Sequence, residues 1–228
     1  MATVVRTVTR PDRSIVDALG ALGVATVHEA QGRDGLLAPP IRPVYPGARA
    51  AGTAVTVRVP PGDNWMIHVA VEQCRDGDVL VVAPTMRSEA GYVGELIATA
   101  LRARGVRGVV IDAGCRDVAA LREMDFPVWS RAVSAAGTVK ATLGDVNVPV
   151  VCAGTLVSPG DVVVGDDDGV VVVPRDRAAA VLAASRAREA REEGLRARYR
   201  AGELSLDVGD MRGALARLGL TYVDEEPA

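Results

Sequence analysis

Between Gly52 and Ile111 the chain alternates between short apolar runs and longer, helix-patterned stretches, and this order restricts the fold more than any other feature. Gly52–Val59 (GTAVTVRV) alternates apolar and polar side chains, as a half-buried strand does. Asn64–Cys74 then reads as a helix capped by Asp63, with Trp65, Ile67, His68 and Val71 on its inward or interface side. Asp78–Ala83 is a second strand, Gly91–Arg104 a helix opening on a glycine-rich turn, and Gly108–Ile111 a third strand ended by small residues. A β-α-β-α-β order predicts an α/β protein, a layered sandwich in which helices cover a central mixed sheet.

The flanks extend this frame. Arg13–Leu22 reads as a short helix with Asp12 or Ser14 as cap. Another helix is predicted around 25–31, ended by Gly32 and Gly35. The proline-rich stretch Leu36–Arg49 should be an extended connection. Short strands are predicted at Phe126–Ser130, Val148–Cys152, Asp161–Gly165 and Val170–Val173. Asp166-Asp167-Asp168-Gly169 closes the last pair as a hairpin whose aspartates are solvated. After Pro174 a long helix rich in Ala, Arg and Glu runs to about Arg200, polar enough to lie across a neighbouring subunit. The 228 residues are read as a single domain, with its core at about 23–174 and helical extensions at both ends, including an arm at about 175–228.

Composition removes several function classes. A net charge of −3 gives no reason to expect nucleic acid or an anionic membrane as partner. No apolar stretch reaches membrane-spanning length, and the first residues lack a secretory apolar segment, so a cytoplasmic location is expected. Cys74, Cys115 and Cys152 are widely spaced, which predicts buried, inert thiols at Cys74 and Cys152. With only His28 and His68 available, neither a Cys/His nucleophile nor a zinc site fits the sequence. Any metal should be held by carboxylates, which points to Mg²⁺ or Mn²⁺. Lys140, the only lysine among 26 basic residues, lies in a Gly- and Ser-containing connection and reads as a solvated loop residue.

Candidate chemistry concentrates at Arg116 and Asp117. They follow the apolar run Val109–Ile111 at a strand's C-terminal end, where open α/β sheets place ligands. A permanent cation beside a hard oxygen anion can hold a divalent metal and stabilise a developing oxyanion. The same dipeptide could be a surface pair at a helix start, with Asp117 as cap. Gly94-Glu95, one helix upstream, favours the site. A helix beginning at Gly94, Glu95, Leu96 and Ile97 offers free N–H groups to a carboxylate, and Glu95 with Asp117 could face a metal.

Several long segments in order resemble the class II aldolases that cleave 4-hydroxy-4-methyl-2-oxoglutarate and 4-carboxy-4-hydroxy-2-oxoadipate, relatives of the regulator of ribonuclease activity A. These segments are ATVHEAQGRDGLL from Ala25, GELIATALRARGVRGVVIDAGCRD from Gly94, FPVWSRAVSAAGTVKATLGDVNVPVVCAG from Phe126, SPGDVVVGDDDGVVVVP from Ser158 and GELSLD from Gly202. The resemblance implies an α/β sandwich assembled as a homotrimer or homohexamer, with sites between subunits. It implies Asp117 as the direct ligand of Mg²⁺ or Mn²⁺, and Glu95 as reaching the metal through water. Glu192 of a neighbouring subunit is the best match for a further acid, with Glu189 and Glu193 as alternatives. Arg116 would bind the 2-oxo acid and stabilise its enolate, while backbone amides of Gly94, Glu95, Leu96 and Ile97 hold its carboxylate. Related enzymes often carry an acid three positions after the motif aspartate, where this chain has Ala120; Glu123 could take its place.

The implied reaction is metal-dependent carbon–carbon cleavage. One product is pyruvate, and the other is oxaloacetate or a second pyruvate; oxaloacetate decarboxylation is a side activity. The implied setting is aromatic catabolism through protocatechuate and gallate, with a lean toward the carboxy-hydroxy-oxoadipate enzymes. The alternative is a non-catalytic binding protein of the ribonuclease-regulator type. A methyltransferase is disfavoured because no glycine-rich strand-turn for S-adenosylmethionine is present. A lysine-dependent aldolase would have to run through Lys140.

Overall fold

In a computed structural model the described residues are 2–224, and they fall into two compact units divided between 186 and 187. The first unit holds all the strands among the described residues. It opens with α1 (Arg13–Leu22) and α2 (Val24–Ala30), then β1 (Arg42–Pro43), β2 (Ala50–Val59), α3 (Trp65–Gln73) and β3 (Asp78–Pro84). Next come β4 (Gly91–Val93), α4 (Glu95–Ala103), β5 (Gly108–Cys115), α5 (Val118–Glu123) and β6 (Val128–Val133). Five strands follow: β7 (Asp145–Val146), β8 (Val150–Cys152), β9 (Thr155–Val157), β10 (Val162–Asp166) and β11 (Gly169–Val173).

The main sheet runs β1-β6-β5-β3-β2-β10-β11, with β4 added on β5 and β7 on β2. Its centre is parallel: β2 pairs with β3, β3 with β5 and β5 with β6, whereas β10 joins β2 and β11 antiparallel. Ahead of β1, the Leu37 N–H donates to Val170 O at 2.9 Å, so the two edges of the sheet approach each other. The sheet is therefore mixed and nearly closed, as the α/β reading requires.

Parallel strands buried on both faces are rich in branched apolar residues, and β3 and β5 follow that rule. One face packs Val55, Val57, Leu80, Val82, Val109 and Ile111 against Ile67, Ala98, Leu101 and Leu121 of α3, α4 and α5. The other face packs Val79, Val81 and Val110 beneath Ile41, Trp129, Val157 and Cys152. A third cluster joins α1 and α2 to β10, β11 and the first turns of α6 (Ala178–Arg200).

Four expectations change. β2 is buried along nearly its whole length, because its polar members find partners: the Thr53 hydroxyl donates to Asp78 Oδ1 at 2.6 Å and that of Thr56 to Val148 O at 2.5 Å. In α3 Ile67 is buried, as expected, together with Met66 and Ala70, which the expectation omitted, while Trp65 and His68 do not face the core and are exposed in the single chain. Gly91–Val93 is a strand on β5, so the helix begins only at Glu95. β5 also continues past Ile111 to Cys115, through an irregularity at 111–114. At the hairpin tip Asp167 and Asp168 are exposed, as expected, while the Asp166 carboxylate accepts the N–H of Val24 and of Asp168 and that of Asp167 accepts the N–H of Gly47.

The second unit holds the remaining turns of α6, α7 (Ser205–Val208) and α8 (Arg212–Arg217). Ion pairs link its exposed faces, among them Arg198 with Glu203 at 2.6 Å and Arg212 with Asp207. No helix among the described residues is long and apolar enough to cross a membrane.

Candidate functional site

The C-terminal end of β5 delivers Arg116 and Asp117 to the start of α4. Asp117 is the residue before α5 and has a left-handed backbone, φ 58° and ψ 36°. Its carboxylate makes no capping bond to α5. Instead Oδ2 accepts the Glu95 N–H at 3.0 Å, so Asp117 caps the neighbouring helix α4 across the β4–β5 pair. Asp117 Oδ1 has no partner among the described residues.

Arg116 is anchored through its backbone, whose N–H donates to Val93 O at 2.9 Å. Its Nε stands 3.6 Å from Asp117 Oδ2, and its guanidinium extends toward Gly137. Two glycines permit this packing. A Cβ on Gly94 would fall 2.2 Å from Asp117 Oδ2, and one on Gly91 would fall 2.4 Å from Ser134 O. Gly94 itself is extended, at φ −145°, so here glycine serves close approach and not an unusual backbone.

A cavity of about 100 Å³ opens over this corner, lined in part by Gly94, Leu96, Ile97, Arg116 and Asp117. The first-turn N–H groups of Leu96 and Ile97 have no acceptor within α4, as at any helix start, and they lie beside the Arg116 cation. Of the predicted residues, the structure thus brings together Gly94, Leu96, Ile97, Arg116, Asp117 and the backbone of Glu95. The Glu95 side chain is exposed and does not line the cavity. Glu192 belongs to the second unit, where it pairs with Arg188 at 2.8 Å and Arg196 at 3.4 Å.

Two residues that sequence reasoning did not place here line the same cavity, Asn64 and Lys140. Lys140 is exposed in its loop, as expected, and it also borders this cavity. Its loop is fixed by a short parallel bridge, in which Val139 N–H donates to Gly62 O and Asn64 N–H to Val139 O. Asp63 holds the loop from the other side: Oδ1 accepts the Trp65 N–H, and Oδ2 accepts those of Ala141 and Thr142. Burial pushes the Asp63 carboxyl up, but these three N–H donors and the nearby Lys140 charge hold it below the ordinary range. Asn64 is buried; its Nδ2 donates to Tyr92 O at 3.0 Å, while Oδ1 lacks a partner among the described residues.

The thiols are unsuited to nucleophilic work. Burial pushes Cys115 up and Cys74 up to about 12, and it raises Cys152 further.

The donors near Asp117 are hard oxygens. Among the described residues no group of three or more His, Cys, Asp or Glu side chains is placed to hold a metal ion. Asp117 is the carboxylate that lines the cavity, a hard oxygen donor of the kind that would suit Mg²⁺ or Mn²⁺ with several waters rather than a closed zinc cage.

The fold is a mixed α/β sheet in which Asp117 and Arg116 meet the start of α4 at a strand's C-terminal end. The family model described as "RraA-like: Aldolase/RraA" matches residues 13–172, and the chain belongs to this family. A relative from Halalkalibacterium halodurans, named "Putative 4-hydroxy-4-methyl-2-oxoglutarate aldolase", is 34% identical over 162 residues, 70% of this chain and 77% of that protein. Among solved structures, an uncharacterized protein from Pseudomonas syringae superimposes with a TM-score of 0.76 at 30% identity, covering 89% of this chain and all of that one. Streptomyces coelicolor RraAS2, described as an unusual member of the RNase ES inhibitor RraA family, gives 0.73 at 30% identity, covering 82% and 98%.

Proposed function

We propose that this protein is a divalent-metal-dependent aldolase. Its substrate would be 4-carboxy-4-hydroxy-2-oxoadipate, 4-hydroxy-4-methyl-2-oxoglutarate or both, and oxaloacetate decarboxylation would accompany the cleavage. The observation that carries this reading is the Asp117–Glu95 bond, which sets a carboxylate, a guanidinium and open helix N–H groups at one corner. The aldolase name of the Halalkalibacterium halodurans relative supports it.

In this reading Asp117 would hold Mg²⁺ or Mn²⁺ directly, Glu95 would reach it through water, and Glu192 of another copy in a homotrimer or homohexamer would contribute a further acid. The metal would supply Lewis acidity toward the substrate's 2-oxo group. The N–H groups of Leu96 and Ile97 bind the adjacent carboxylate, aided by the helix dipole. Arg116 places its guanidinium where negative charge develops as the C3–C4 bond breaks, and so stabilises the pyruvate enolate. Lys140, on the same cavity, offers a cation to a distal carboxylate. The expected setting is breakdown of protocatechuate and gallate in the cytoplasm.

The test is pyruvate release from both hydroxy-oxo acids, with Mg²⁺ and again after EDTA. Metal-dependent release supports the reading, and the ratio of rates ranks the substrates. The similarity to RraAS2 favours a second reading, a non-catalytic ribonuclease regulator. Folded, metal-loaded protein that cleaves neither substrate would favour it.

A further inference from the structure

The end of the sheet opposite Arg116 carries another cavity, of about 430 Å³. That size lies within the range of about 300–1,000 Å³ usual for small-molecule sites. It forms where the connections into β2, β5 and β6 converge, so the length of β5 separates it from the Arg116 corner, roughly 23 Å at about 3.3 Å per residue. Its lining mixes polar and apolar groups, and the largely buried Val106 and Phe126 lie at its base.

Arg49, Arg102 and Arg107 all line this cavity, and Asp125 is the one carboxylate that does. Arg49 Nη2 donates to Gly20 O at 2.7 Å and Ala21 O at 2.8 Å, at the end of α1. Arg102 Nη1 donates to Met124 O at 2.5 Å. Neither Arg49 nor Arg102 meets a carboxylate among the described residues. Only Arg107 is ion-paired, with Asp17. Backbone carbonyls orient a guanidinium without neutralising it, and each leaves further N–H donors in a planar fork that suits carboxylates. Cations beside apolar side chains such as Val106, Met124 and Phe126 are a combination that inorganic oxyanions use only in part. A carbon skeleton bearing two or three carboxylates uses both.

We propose that this cavity binds a small organic di- or tricarboxylate, with carboxylates on Arg49 and Arg102 and the carbon skeleton against Val106 and Phe126. The site is independent of the aldolase corner and does not rest on the proposed activity.

The probe is tricarballylate, titrated calorimetrically into the Mg²⁺-loaded full chain. Saturable binding is expected in the native protein and, unchanged, in Arg116→Ala. It should weaken at least about tenfold in Arg49→Gln/Arg102→Gln, through loss of two charge-assisted contacts. Because Arg49 also caps α1, Arg102→Glu serves as a second variant: among the described residues the Arg102 side chain bonds only to Met124, and this change should weaken binding as much. Arg102→Lys keeps the charge and should recover part of the affinity. Absence of saturable binding would overturn the proposal, as would loss of binding in Arg116→Ala or unchanged affinity in Arg102→Glu. Phosphate binding as tightly as tricarballylate would overturn the assigned ligand class.

Discussion

The Asp117 carboxylate accepts the Glu95 backbone N–H at 3.0 Å, tying the turn between β5 and α5 to the first turn of α4. One oxygen is used for this bond and the other is left over. The same group thereby fixes the helix start that would receive a carboxylate and keeps an atom for a cation. Substitutions around this pair follow from its geometry.

Gly94→Ala should abolish turnover while the protein stays folded. A methyl group 2.2 Å from Asp117 Oδ2 cannot coexist with the cap, so the carboxylate must swing away. The backbone at Gly94 is ordinary for alanine, and the cost is therefore confined to the corner. Thermal melting should shift by only a few degrees, on the order of 1–2 kcal/mol. Mn²⁺ affinity, read by electron paramagnetic resonance, should fall with activity.

Lys140→Met should separate the two ends of the substrate. Loss of the cation from the Asn64 side of the cavity raises KM for a substrate with a distal carboxylate by about 10- to 100-fold. Enolisation of pyruvate, which lacks that carboxylate, should be unaffected. Steady-state kinetics on both hydroxy-oxo acids, set beside pyruvate exchange, check the split.

Acid should loosen the Lys140 loop through Asp63. The Asp63 carboxyl is held below the ordinary range in the folded state, so its stabilising contribution is fully present above that range and is lost as pH falls through the folded value. Asp63→Asn should remove this contribution at neutral pH, because an amide cannot accept from both Ala141 and Thr142 as well as Trp65. A loss of about 1–2 kcal/mol is expected, with a raised KM of the kind seen in Lys140→Met. Urea titrations at pH 3 to 8 on both proteins should converge at the acid end.

The thiols should stay silent in the native protein. Cys74, Cys115 and Cys152 are all fully buried, and burial raises each of them. A thiol reagent at pH 8 should therefore label none until denaturant is added, and Cys115→Ala should retain turnover. Rapid native labelling of Cys115 with loss of activity would contradict this.

Much of this arrangement was legible in the sequence. The Val-rich runs of β2, β3 and β5 and the helical periods between them set the layers. The βα step from Gly94 to Arg116 marked the corner. What escaped was long-range or carried by small residues. Ala113 and Gly114 look like the end of a strand, yet a Cβ on Gly114 would lie 2.4 Å from Glu89 O, so the glycine admits the chain leading into β4. Gly91–Val93 is too short to show a period of its own and is a strand only because β5 runs beside it. Lys140 reaches the cavity through the Asp63–Val139 bridge, a pairing across dozens of residues that no local pattern announces.

The central claim is that this corner stabilises a pyruvate enolate, and hydrogen exchange reads that directly. Pyruvate in D₂O with Mg²⁺-loaded protein should lose its methyl proton signal by NMR. The exchange should vanish after EDTA and in Asp117→Asn, whose side-chain oxygen can still cap α4 and preserve the fold. Absence of exchange in the native protein, or equal exchange in Asp117→Asn, would contradict the account.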